Sequence, residues 1–86
     1  MRLVFSPEAW EDYLFWQEQG GKTLRKINEL IRATTRDPLS GPGKPEPLRH
    51  PLQGWWSRRI TLEHRLVYRV SGDDLLIASL RFHYED

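Results

Sequence analysis

No cysteine occurs among the 86 residues. That excludes a disulfide framework, a thiolate metal site and a thiol nucleophile. Long apolar runs are also missing. The longest, Leu75 to Leu80, is six residues even counting Ser79, whereas a transmembrane helix needs about 20. Met1 to Ser6 is too short and too polar-flanked to read as a signal peptide. The expectation is a soluble cytoplasmic protein with no membrane partner. His50, His64 and His83 lack the close paired spacing of a zinc site, so no metal is expected. Gly41-Pro42-Gly43-Lys44 is too short for a phosphate-binding loop and leads into no helix, and no cofactor is implied. Six glycines and six prolines fall short of a low-complexity chain.

What remains is room for a single domain over residues 1–86, with a modest core. Such a chain buries roughly 60–70% of its unfolded surface. Aromatics are plentiful, with four Trp. The net charge of +1 hides a segregation: residues 1–21 are net −3, residues 22–69 net +7, and residues 70–86 net −3. A basic middle section suggests a surface facing an anion, nucleic acid first. The alternative is a solvated surface that folding mixes with the acids.

Arg2 to Phe5 alternates as a short strand does. Ser6-Pro7-Glu8 reads as a helix start: a hydroxyl cap, a proline at the first position and early acids. Trp10, Tyr13, Leu14 and Gln17 share a face, Trp10 and Trp16 are expected in the core, and Gly20-Gly21 ends the helix. A second helix is predicted from about Thr23 to Thr35, with Leu24, Ile27, Leu30, Ile31 and Thr34 as its apolar stripe. Asp37-Pro38 ends it. Five prolines between residues 38 and 51 rule out a regular element there and predict a restrained, functional loop. Three strands follow, over Trp55–Thr61, His64–Val70 and Leu75–Tyr84. The predicted class is α+β, ordered β-α-α-β-β-β, with both helices on one face of a twisted, mainly antiparallel sheet.

Alternation then assigns faces. Leu66, Tyr68 and Val70 are expected under the helices, as are Leu76, Ala78, Leu80 and Phe82, with Trp56 and Ile60. The other face would carry Ser57, Arg59, Arg65, Arg69, Arg81 and His83, with the proline-rich loop free to fold across it.

One carboxylate, several arginines and a histidine around an anion suit RNA cleavage without a metal. A base removes the ribose 2′-OH proton, cations hold the extra phosphorane charge, and an acid protonates the leaving 5′-oxygen. Glu46 is the available carboxylate, Arg65 the phosphate fork and His83 the acid. Tyr84 and the tryptophans could stack on bases. Each has an ordinary reading as well. Glu46 is a solvated loop residue, Arg65 pairs with Glu63 or Asp74, and His83 is incidental. Residues alone therefore stop at a basic α+β nucleic-acid module, with ribonuclease activity left open.

Six ordered stretches carry a resemblance: Trp10-Glu11-Asp12-Tyr13, Lys26 to Ile31, Gly43 to Leu48, Trp56 to Ile60, Glu63 to Tyr68 and Arg81 to Tyr84. The chain resembles the YoeB-type toxins of bacterial toxin–antitoxin modules, members of the RelE superfamily. The resemblance implies a RelE-like fold and a ribosome-dependent endoribonuclease that cuts messenger RNA in the ribosomal A site. It implies Glu46 as general base, Arg65 as phosphate-stabilising cation, His83 as general acid and Tyr84 as a substrate-placing aromatic. Arg59, Arg49 and Lys44 would bind the RNA backbone. It further implies a YefM-like antitoxin as partner, the bacterial ribosome as platform, and promoter DNA bound only by the toxin–antitoxin complex. A homodimer stays open. Relatives on this fold that block DNA gyrase without cutting RNA supply the alternative function. The chain departs from the pattern at Arg49, where lysine is usual, at Phe82, where tyrosine is expected, and at the added Glu85-Asp86.

Overall fold

The computed structural model describes residues 1–82. Strand β1 (Arg2–Phe5) leads into helix α1 (Pro7–Gln19). Ser6 joins them: its Oγ accepts from the Ala9 amide at 3.0 Å and donates to the Ala78 carbonyl at 2.8 Å. The helix start is thereby tied to the sheet as well as capped. Gly20, at φ 64°, closes α1 by donating its N–H to the Trp16 carbonyl. Helix α2 begins at once, at Gly21, and runs to Arg36. Its predicted stripe faces inward: Ile27, Leu30, Ile31 and Thr34 are buried, and Leu24 packs beside them.

The sheet has five strands, not four, in the order β1-β5-β4-β3-β2. These are β2 (Glu46–Pro47), β3 (Trp56–Arg59), β4 (Arg65–Ser71) and β5 (Asp74–Ser79). Only the β1–β5 pairing is parallel. The extra strand, β2, lies inside the proline-rich segment where no element was expected. It survives because it is an edge strand, the one place in a sheet where a proline is tolerated.

Both helices cover one face, as expected, and the core of Ala9, Trp16, Ile27, Leu30, Ile60, Leu66, Tyr68, Leu75, Ile77 and Leu80 lies between. Several of the expected placements are corrected. In β5 it is Leu75 and Ile77 that lie under the helices, not Leu76 and Ala78. Parallel pairing with β1 puts Leu75 opposite Leu3 and Ile77 opposite Phe5. A bulge then leaves Ala78 as an extra residue, since Tyr68 pairs with Ile77 but Val67 with Ser79. The phase shifts, so Ser79 joins Val67 and Leu80 enters the core. Phe82, expected inside, is 54% exposed. Trp10 is also half-exposed, stacked on Tyr13 and edge-on to Phe5. Trp16 keeps its core place, its indole N–H donating to the Leu80 carbonyl at 2.9 Å.

Candidate functional site

The site is built on the sheet face away from the helices. Cross-strand partners share a face. Glu46 lies opposite Ser57, Ser57 opposite Val67, and Val67 opposite Ser79. This row runs across four strands. Its members Ser57, Val67 and Ser79 are buried, whereas Glu46 is exposed at its edge. Ser79 Oγ has no hydrogen-bond partner among the described residues. Neighbouring strands are about 4.8 Å apart, so the Glu46 backbone stands about 10 Å from β4.

The next row is Arg59 opposite Arg65. Like charges placed directly opposite each other destabilise a sheet. No described ion pair involves Arg59, Arg65, Arg69 or Glu46; the described ion pair is Arg2–Asp74, and Glu63 Oε1 lies 3.5 Å from His64 Nε2. Of the alternative partners of Arg65, Asp74 is held by Arg2, and Glu63 forms no ion pair with Arg65. Instead, Arg65 Nη1 bonds the carbonyls of Thr61, Leu62 and His64 at 3.0, 3.2 and 3.3 Å. These contacts use one terminal nitrogen. Nε and Nη2 make no hydrogen bond to a described residue, and that edge of the fork is available to an anion.

The turn behind Arg65 is itself fixed. Thr61 Oγ1 accepts from the Glu63 and His64 amides, and the Arg65 amide donates to the Phe82 carbonyl. His64 packs edge-on to Trp16 at 4.9 Å, on the helix side, as alternation requires. Its Nδ1 accepts from the Phe82 amide at 2.8 Å, which assigns the proton of the neutral ring to Nε2. It serves the turn, not the face that carries Arg59 and Arg65.

Around this centre, Lys44 and Arg49 flank Glu46 in the loop and are exposed. Arg69 lies over the Trp55 ring, 5.9 Å from its centroid. Arg69 is on the face where alternation put it; its Trp55 partner was not singled out from the sequence, although Trp55 has the same strand parity as Ser57 and Arg59. Arg81 is a correction. It was expected on this face, but its guanidinium lies 3.7 Å from the Phe15 centroid, over helix α1. Strand β5 ends at Ser79, so the alternation on which that expectation rested does not extend to Arg81. His83 and Tyr84 lie outside the described residues.

No group of three or more histidines and carboxylates that could hold a metal occurs among the described residues. No described helix is long and apolar enough to cross a membrane. A hollow of about 680 Å³ lies elsewhere, between β1 and the helices, lined by Leu3, Phe5, Trp10 and Tyr13 among others. The candidate site is a set of basic residues around the buried row of Ser57, Val67 and Ser79, with Arg59, Arg69 and Glu46 exposed.

Comparison with known proteins bears on that face. A family model, "YoeB-like toxin of bacterial type II toxin-antitoxin system", matches residues 5–84. The chain belongs to this toxin family. It is 61% identical over 84 residues to "Toxin YoeB" of Escherichia coli K12, covering 98% of this chain and all of that one. It is 54% identical to "Toxin YoeB" of Synechocystis, covering 99% of each. Among solved structures, a "YoeB/ParE toxin" from Agrobacterium tumefaciens superposes with a TM-score of 0.94 at 52% identity, covering 98% of this chain and all of that one. A YoeB dimer and a YoeB–YefM complex from Staphylococcus aureus superpose at 0.90 and 0.89, each at 47% identity and 98% coverage of both chains. The YafQ toxin of Escherichia coli, at 19% identity and 0.78, covering 96% of this chain and 94% of that one, shares the fold alone.

Proposed function

We propose that this toxin is an endoribonuclease that cuts messenger RNA in the ribosomal A site and so arrests translation. The observation that carries the reading is the arginine pair, Arg59 opposite Arg65, on the sheet face that also carries Glu46. Two opposed cations without a described counter-ion favour an anion between them. A phosphodiester is that anion, and a carboxylate at the edge of the same face supplies a base.

In this reading Glu46 takes the proton of a ribose 2′-OH. The 2′-oxygen bonds to phosphorus while the bond to the 5′-oxygen breaks. Arg65, with Arg59, holds the charge that accumulates on the phosphorane oxygens. His83 gives a proton to the departing 5′-oxygen, and Tyr84 places the substrate. Lys44 and Arg49 hold the RNA backbone on either side of Glu46. The products are a 2′,3′-cyclic phosphate and a 5′-hydroxyl, and the step balances on side chains alone. The 2′-hydroxyl nucleophile restricts the reaction to RNA.

The YoeB–YefM complexes of the Staphylococcus aureus relative support a YefM-like antitoxin as partner, and its YoeB dimer supports a homodimer. The ribosome is the platform on which the messenger is presented. The test is to add the purified toxin to bacterial ribosomes programmed with an end-labelled messenger and to map any cut. A cut within the A-site codon is expected. An intact messenger on competent ribosomes, with folded toxin, would overturn the reading.

A further inference from the structure

Arg58 is fully buried, on the helix side of β3, with Arg59 on the other. A basic residue from the most basic stretch of the chain is therefore absent from the surface that stretch was expected to form. Its hydrogen bonds go to no carboxylate. Nε donates to Tyr68 Oη at 3.2 Å, Nη1 to the Pro42 carbonyl at 3.1 Å, and Nη2 to the carbonyls of Ser40, at 2.9 Å, and Asp37. Removing a guanidinium from water is costly unless its protons are all satisfied. An apolar side chain would fill the volume as well. What it would not do is gather three carbonyls of one loop.

That loop joins α2 to β2 and has little else to hold it. Leu39 is 60% exposed, and most residues from Asp37 to Lys44 are open to solvent. Tyr68 adds a fourth anchor by donating its hydroxyl proton to the Pro38 carbonyl. Beyond Pro42 the chain presses against the clamp itself. A Cβ on Gly43 would stand 2.9 Å from Leu30 Cδ2 and 3.1 Å from Arg58 Cβ, and Gly43 is at φ +86°. The Gly43 carbonyl accepts from the Arg59 amide at 2.7 Å. Three residues further on is Glu46, in a strand only two residues long. So short an edge strand fixes little by itself.

We infer that Arg58 is a positioning residue for Glu46, clamping the loop of residues 37–43 so that the carboxylate stands at its place beside the Arg59–Arg65 pair. This rests on the reading of Glu46 as the base. Because reacting groups misplaced by about 1 Å lose about a hundredfold in rate, the clamp acts on the maximal rate more than on substrate capture. Lysine at this position keeps the charge but loses the planar fork that reaches the carbonyls.

The test uses the full chain with Arg58→Lys and Arg58→Met. Amide hydrogen exchange over residues 38–48 is read beside single-turnover cleavage on programmed ribosomes, with the folded fraction measured by circular dichroism. Exchange in the loop should rise at least about tenfold while α1, β4 and β5 keep their protection. The maximal rate should fall about a hundredfold, with half-saturation little changed. Loop exchange that stays at the wild-type level would overturn the inference. So would a loosened loop with an unchanged rate, or a rate loss that only follows the unfolded fraction. If Arg58→Met does not fold, Tyr68→Phe removes the Pro38 anchor and the Nε acceptor, and the same readouts decide. If the wild-type protein cuts nothing, the endoribonuclease reading fails by itself; the exchange measurement then still decides whether Arg58 fixes the loop that bears Glu46.

Discussion

Arg59 and Arg65 face each other as a cross-strand pair on the same side of the sheet as Glu46. Their opposition costs the free protein some stability. Arg59→Gln should therefore leave stability unchanged or raise it by up to about 1 kcal/mol, and at the same time slow cleavage at least about tenfold. Urea unfolding beside a ribosome cleavage assay checks both. A variant that loses stability and keeps its rate would remove the pair from the site.

Glu46 is exposed and makes no side-chain hydrogen bond to a described residue. Glu46→Gln should change stability by less than about 0.5 kcal/mol. The maximal cleavage rate should fall by roughly 10²–10⁴, the usual worth of a general base. Single-turnover rates at saturating toxin read this directly. A rate within threefold of wild type would take the base role from Glu46.

Tyr68 accepts from Arg58 and donates to Pro38 inside the molecule. Tyr68→Phe leaves Arg58 Nε and the Pro38 carbonyl unpartnered and should cost about 1–3 kcal/mol in urea unfolding. Burial, first of all, pushes its phenol above the ordinary tyrosine range. The folded state thus holds a proton that the unfolded chain gives up sooner. That contribution is fully present below the ordinary tyrosine range and is lost as the pH rises through the raised value. The alkaline fall in thermal midpoint should be shallower in Tyr68→Phe.

Asp37 works in the opposite direction. The Ser40 hydroxyl first, and then the Leu39 amide, hold its carboxyl below the usual carboxylate range. Its contribution is present above that range and disappears as the pH falls through the lowered value. Since its backbone carbonyl is also an Arg58 acceptor, acid should loosen the loop of residues 37–43 before the sheet. Hydrogen exchange of residues 38–44 on acidification should show this, and Asp37→Asn should remove the acid step.

Some of this was legible in the sequence and some was not, for physical reasons. The helix α2 stripe shows a single period, so Ile27, Leu30, Ile31 and Thr34 could be placed. The Ser6-Pro7 start of α1 is local chemistry and reads locally. Leu75-Leu76-Ile77-Ala78 is apolar at both parities, so only the pairing with β1 decides which side is covered. No local signal marks the bulge at Ala78, and counting through it put Leu76 and Ala78 under the helices; Arg81 was misplaced because β5 ends at Ser79. Strand β2 exists only through its pairing with β3, which no propensity of Glu46-Pro47 foretells. Arg59 and Arg65 on one face followed from alternation, whereas Glu46 was expected only in a loop free to fold across that face. The burial of Arg58 did not, because its partners are carbonyls of a loop whose path the sequence leaves open.

The central claim is that the ribose 2′-hydroxyl attacks the phosphate. The most direct measurement programs ribosomes with two messengers that differ by a single 2′-deoxynucleotide on the 5′ side of the mapped cut. The account predicts cleavage of the all-RNA messenger, leaving a 2′,3′-cyclic phosphate, and none at the deoxy position. Equal cleavage of both would contradict it.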